Sequence, residues 1–114
     1  MYQSVQDIYP FFEPEDDAGP ASRAGYRANL AVLRNASQAA GVAFWTMFNV
    51  MPFAGHSDPT EQQMAWQMFT SMAYGSKGLF YFCYWSPEGQ SPMFRHGGGV
   101  FTPQGTMHQY VYPY

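Results

Sequence analysis

Charge is the first thing this sequence lacks. Charged residues fill 11% of its 114 positions, against about 25% in an ordinary soluble domain. The five cations, Arg23, Arg27, Arg34, Lys77 and Arg95, are scattered. Without a basic patch, nucleic acid is not an expected partner. Cysteine is nearly missing too: the single Cys83 can form no intrachain disulfide, and its apolar setting predicts a buried, inert thiol. No segment approaches the ~20 consecutive apolar residues of a membrane-spanning helix, so no membrane partner is expected. The start, MYQSVQDIYPFF, has neither the basic region nor the unbroken apolar core of a signal peptide. The compartment stays open.

Recognised catalytic and cofactor motifs are also missing. There is no G-x-S-x-G elbow, no G-x-G-x-x-G turn and no phosphate-binding loop; HGGGV lacks both the lysine and the following helix. His56, His96 and His108 have no companion cysteines or carboxylates at metal-ligand spacing. Neither a metal nor any other cofactor is expected.

Aromatic residues are plentiful, at 19%. A chain this short has much surface for its volume, so many of them would be exposed if it folded alone. The composition points to a piece of something larger, or to a self-associating chain; a homo-oligomer is the expected state.

The stretch GLFYFCYWSP is the clearest local signal. Residues 79–85 are all large and apolar or aromatic, which leaves no polar face. Bounded by Gly75 and Gly78 before and Ser86-Pro87 after, the run reads as a strand buried on both faces, as in parallel sheets covered by helices. Two further strands are expected, over residues 3–9, ended by Pro10, and over 42–50 (VAFWTMFNV). The loop FFEPEDDAGPAS stops any regular element.

A helix over 23–39, with Ser22 as its N-cap, places Tyr26, Leu30, Leu33, Ser37 and Ala40 on one face, and Gly41 is its stop. A second helix covers 61–74. Its start has two competing caps, Thr60 with Gln63 or Asp58 with Pro59 and Glu61. Met64, Met68 and Met72 make a stripe expected to be core, and Gly75 closes the helix. After residue 85 the chain is loop-like, with one short apolar segment at Val100-Phe101. The order is βαβαβ in a single domain over 1–114, an α/β fold with parallel strands and right-handed crossovers.

Function in such folds gathers where the strands end. Those segments carry Asp7, Glu13, His56, Trp85, Glu88, Arg95 and His96. Aromatics beside carboxylates and amides suit a sugar, whose apolar face stacks while its hydroxyls hydrogen-bond. The plainer alternative is that Trp45 and Trp85 are core and the acidic loop is merely solvated.

The residues also resemble a known family. DIYPF at 7–11, followed by NLAVLRNASQAAGVAFW, is similar to a segment of bacterial TIM-barrel glycoside hydrolase-like proteins. DPTEQQMAWQMFTSMAYGSKGLFYFCYW resembles the last helix–strand unit of barrels related to the family 42 β-galactosidases. HGGGVFTPQGTMHQY resembles their closing segment. The resemblance covers almost the whole chain and implies a partial TIM barrel holding strands six to eight, completed by self-association; a whole barrel takes ~250 residues.

It further implies carbohydrate as ligand, with Asp7 and Asn49 bonding hydroxyls, Tyr9, Trp45 and Trp85 stacking, and His56 nearby. The family's two catalytic carboxylates are expected at the ends of strands four and seven. Strand four falls outside this sequence, and strand seven carries Thr46 and Asn49 where a glutamate is looked for. Asp7, Glu13 and Glu88 are weak catalytic candidates, so autonomous glycosidase activity is not expected. A non-enzymatic self-assembling fragment, or a glycosidase active only as a homo-oligomer, are the alternatives.

Overall fold

The computed structural model describes residues 4–6, 9–11 and 20–85. They form strand β1 (Ser4–Gln6), helix α1 (Pro20–Ala40), strand β2 (Phe44–Asn49), helix α2 (Glu61–Ala73) and strand β3 (Leu79–Phe82). The fold is α/β. Its strands pair in chain order, β1-β2-β3, and both pairings are parallel. Asp7, Glu13, Glu88, Arg95, His96 and the Val100-Phe101 segment lie outside the described residues.

Helix α1 begins at Pro20, earlier than expected, and Ser22 lies inside its first turn instead of capping it. Proline is well suited to that first position, because its φ is already helical and its missing N–H had no helical partner to lose. Both helices stop in the same way. Gly41 (φ 66) and Gly75 (φ 98) turn left-handed, where a side chain would cost energy. Gly41 N–H then reaches Gln38 O and Val42 N–H reaches Ser37 O, while Gly75 N–H reaches Met72 O and Ser76 N–H reaches Ser71 O. This double bond pattern satisfies carbonyls left over at each helix end. At the start of α2 the Thr60–Gln63 capping box forms, which settles the competition between the two caps.

Strand alternation then sorts β2. Phe44, Thr46 and Phe48 are buried on one face. Tyr26 and Leu30 of α1 pack with Phe44, and Met64 of α2 packs with Phe48 and Val50. Both helices therefore lie on the same side of the sheet. They also touch each other: the Tyr26 and Trp66 rings are 5.4 Å apart, and Tyr26 Oη lies 2.9 Å from Ser71 Oγ. Since Ser71 already donates its proton to Gln67 O at 2.7 Å, the phenol is the donor. Trp45 and Met47, on the opposite face, are only half-buried.

Two expectations are corrected here. The run at β3 is not buried on both faces: Phe80 and Tyr81 are 39% and 44% exposed, because among the described residues β3 pairs with β2 alone and forms the edge of the sheet. The methionine stripe is not all core either. The buried line of α2 is Met64, Gln67 and Ser71, and Met72 is 44% exposed.

Polar groups under the helices are paired. Thr46 Oγ1 donates to Ser76 Oγ at 3.0 Å, and Ser76 Oγ donates on to Gly78 O at 2.8 Å. That relay pins the turn before β3 to the middle of β2. The turn needs Gly78 for space, since a Cβ there would sit 2.4 Å from Trp45 Cδ2.

Two measurements follow from this packing. Gly78→Ala should destabilise by about 1–3 kcal/mol, as overpacked sites do, and the loss should shrink in a Trp45→Leu background when both are followed by urea unfolding. Burial pushes the Tyr26 phenol above its ordinary 10.0, against a smaller lowering from Ser71. Its contribution is complete below the unfolded value and is lost as pH rises through the folded one. Tyr26→Phe should cost about 1 kcal/mol at neutral pH, and its urea midpoint should fall less steeply than the native one above pH ~10.

Candidate functional site

The three strand ends converge on one cluster. Tyr9 follows β1, Met51 and Phe53 follow β2, and these three are buried together against Met47, Phe82 and Cys83. The Tyr9 ring meets Phe53 edge-on at 4.9 Å, with His56 at 5.4 Å and Phe82 at 5.6 Å. Phe53 and Phe82 are 4.4 Å apart. Aromatic pairs in such geometries add about 0.5–1.5 kcal/mol beyond their buried area.

A tight turn delivers His56 to this cluster. Phe53 and His56 exchange main-chain hydrogen bonds of 3.3 and 2.7 Å. The two residues between them, Ala54 (φ 46) and Gly55 (φ 83), are both left-handed, as the two-residue hairpin requires. The Phe53 and His56 rings thus stand side by side, 4.9 Å apart. His56 Nδ1 lies 3.0 Å from Phe11 O. A carbonyl oxygen only accepts, so Nδ1 carries a proton, and Nε2 is the ring's second polar atom.

The base of the loop is fixed by amides. Asn49 N–H donates to Gln67 Oε1 at 2.9 Å, and Gln67 Nε2 donates to Asn49 O at 3.2 Å. Asn49 Nδ2 donates to Ser57 O at 3.2 Å, and Asn49 Oδ1 accepts Met51 N–H at 3.1 Å. The described ladder of β1 ends at Gln6, opposite Thr46. Beyond it, the Gln67 amide takes the place of a neighbouring strand.

The anticipated residues are therefore divided. Tyr9 and His56 come together, with Phe53 and Phe82, which the sequence reading had not singled out. Trp85 follows β3 at 50% exposure, next to Tyr84 at 63%, and its carbonyl lies 3.1 Å from Cys83 Sγ. Asn49 is completely buried and its amide is committed to the loop, so its role here is to position other groups. Trp45 lies near the start of β2, stacked 5.0 Å from Phe80, away from the strand-end cluster. Asp7, Glu13 and Glu88 fall outside the described residues.

Cys83 Sγ is 3.2 Å from Met51 Sδ. Burial, outweighing a backbone hydrogen bond, pushes its thiol above the ordinary 9.0, so it stays protonated and weakly nucleophilic at neutral pH. Among the described residues, no three of His, Cys, Asp and Glu are grouped to hold a metal ion, and no helix is long and apolar enough to cross a membrane.

A cleft of about 480 Å³ lies at the other end of the strands, lined by Arg34, Ser37, Gln38, Phe44, Tyr74 and Lys77. Arg34 sits 5.4 Å over the Tyr74 ring. The N–H groups of Gly41, Val42, Gly75, Ser76 and Lys77 are all used by main-chain carbonyls, so this cleft offers an anion no amide cradle.

No family model, no curated protein and no solved structure matches the chain.

Asn49→Ala removes both side-chain bonds at the base of the loop and leaves the Met51 N–H buried without its acceptor. The expected loss is about 2–3 kcal/mol, measured by urea unfolding. Asn49→Asp keeps the acceptor for Met51 but sets a carboxylate oxygen against the Ser57 carbonyl in a fully buried site, so at neutral pH it should cost at least as much.

Proposed function

We propose that this chain is an arc of a glycoside hydrolase-like (β/α) barrel whose strand-end face holds carbohydrate by ring stacking and does not hydrolyse it. Two features support the barrel reading. The strands follow one another in order, and both helices cover the same side of the sheet. A doubly wound sheet would place its helices on opposite faces, whereas a singly wound path curls toward a barrel. The resemblance of the sequence to glycoside hydrolase-like barrels agrees with that path.

The observation that carries the binding reading is the strand-end face itself. A rigid cluster of Tyr9, Phe53, His56 and Phe82 adjoins a strand whose following residues, Tyr84 and Trp85, keep 63% and 50% of their surface open. A sugar presents a C–H face to such rings, and an imidazole nitrogen or a main-chain group can meet its hydroxyls. Binding of this kind needs no ionised group.

Hydrolysis asks for more. A retaining glycosidase requires two carboxylates about 5–5.5 Å apart. Among the described residues the carboxylates are Asp58 and Glu61, and Glu61 occupies the first turn of α2, where its charge favours the helix. At the end of β2, where the resemblance calls for a glutamate, the structure has the fully bonded Asn49.

Titration of tryptophan fluorescence with galactosides, glucosides and mannosides tests the proposal. A saturable response that Trp85→Ala abolishes, without release of reducing sugar, is the expected result. Absence of a saturable response to every sugar would overturn it.

A further inference from the structure

We infer that the cleft at the start of the strands binds a small organic carboxylate, held by the Arg34 guanidinium with its apolar body against Phe44 and Tyr74. The cleft lies at the opposite end of the sheet from the strand-end cluster, so the inference is independent of sugar binding.

Two helix ends build this cleft. Ser37 and Gln38 follow Arg34 by three and four residues, so the three share one face of α1, and all line the cleft. Across it, Gly75 turns left-handed just past Tyr74, and Lys77 N–H donates to Phe44 O at 3.0 Å. That bond ties the second wall to the first residue of β2. Phe44, 2% exposed, lies at the base. The volume of about 480 Å³ falls within the range of small-molecule sites.

Charge sets the sign of the occupant. Among the described residues the carboxylates are Asp58 and Glu61; Glu61 opens α2 and Asp58 precedes it. That helix has 13 residues, or ~20 Å at 1.5 Å per residue, and the cleft is at its far end. Arg34 and Lys77 therefore line the cleft with no described carboxylate to neutralise them. Neither lies in the last turn of a helix, where a cation would answer the helix dipole. The last-turn carbonyls of Ser37, Gln38, Ser71 and Met72 already accept N–H groups, which lessens their repulsion of an anion.

Geometry selects the head group. The Arg34 guanidinium carbon sits 5.4 Å over the centre of the Tyr74 ring. A cation–π contact of this kind orients the guanidinium without consuming its N–H groups. Its planar fork is left to meet a carboxylate with two parallel hydrogen bonds. Lys77 adds a flexible point charge, and Gln38 an amide donor. Ser37 has no proton to offer, because its hydroxyl donates to Val42 O. Since the main-chain N–H groups around the cleft are already bonded, a bare inorganic anion finds no cradle there. The apolar base favours an anion with a hydrocarbon body.

Benzoate, benzamide and inorganic phosphate are the probes, each titrated into the full chain and followed by amide proton–nitrogen NMR shifts. Benzoate should move the Val42, Gly75 and Lys77 amides saturably and leave those of Phe53 and His56 in place. Benzamide, with the same shape and no charge, and phosphate, with charge and no body, should both bind more weakly. Arg34→Gln should weaken benzoate about tenfold, the lower end for a charge-assisted pair, as suits an exposed site. Arg34→Lys keeps the charge without the fork and should restore only part of that affinity.

No saturable shift with benzoate, or equal affinity for benzamide, would overturn the inference on the native chain alone, even if the variants fail to fold. Equal affinity for phosphate would overturn the apolar body of the ligand. Unchanged benzoate affinity in Arg34→Gln would overturn the role of the guanidinium. A failed sugar titration would leave each of these results as it stands.

Discussion

The exchange of hydrogen bonds between the Gln67 amide and the main chain of Asn49 is the constraint on which the rest of this structure depends. An uncompensated amide in an apolar interior costs roughly 1–3 kcal/mol by protein measurements, so a buried glutamine on the core side of a helix must have somewhere to bond. Here it finds the end of β2, past the described ladder of β1. This fixes the height of α2 on the sheet. It also fixes Asn49, whose side chain then holds Met51 and Ser57, and with them the two ends of the loop that presents Phe53 and His56. Packing alone would allow α2 to slide by a turn; two directional bonds to one residue do not.

The same economy of partners explains why the two faces of the sheet differ. Helices occupy one face, and their contacts with β2 and with each other include the Tyr26–Ser71 and Thr46–Ser76–Gly78 bonds. On the other face Trp45, Met47 and Phe80 are left partly open, and among the described residues β3 pairs with β2 alone.

Local signals in the sequence were readable where the physics is local. Gly41 and Gly75 mark the helix ends because a left-handed residue favours glycine, and the spacing of Tyr26 and Leu30 gives the buried face of α1. The βαβαβ order follows from such marks. For α2 the reading went astray, because three methionines at regular spacing look more like core than a glutamine and a serine do. Gln67 and Ser71 are buried by virtue of partners that lie far away in the chain, Asn49 and Tyr26. Similarly, an apolar run such as LFYF has the same composition in a central strand and at an edge, and only the neighbours distinguish them.

The site was legible in part for the same reason. Chain order alone puts Tyr9 and His56 at one end of the sheet. Their contact depends on the turn at Ala54-Gly55, whose only sequence mark is a glycine between two aromatic rings. That Asn49 would be consumed in holding the loop, and that Trp45 would lie away from the strand ends, needed the register of the strands. Amide hydrogen exchange at Asn49 and Met51 tests the central constraint most directly, because both N–H groups are bonded to side-chain oxygens. The account predicts exchange as slow as that of neighbouring β2 amides. Exchange at the rate of an open loop at both positions would contradict it.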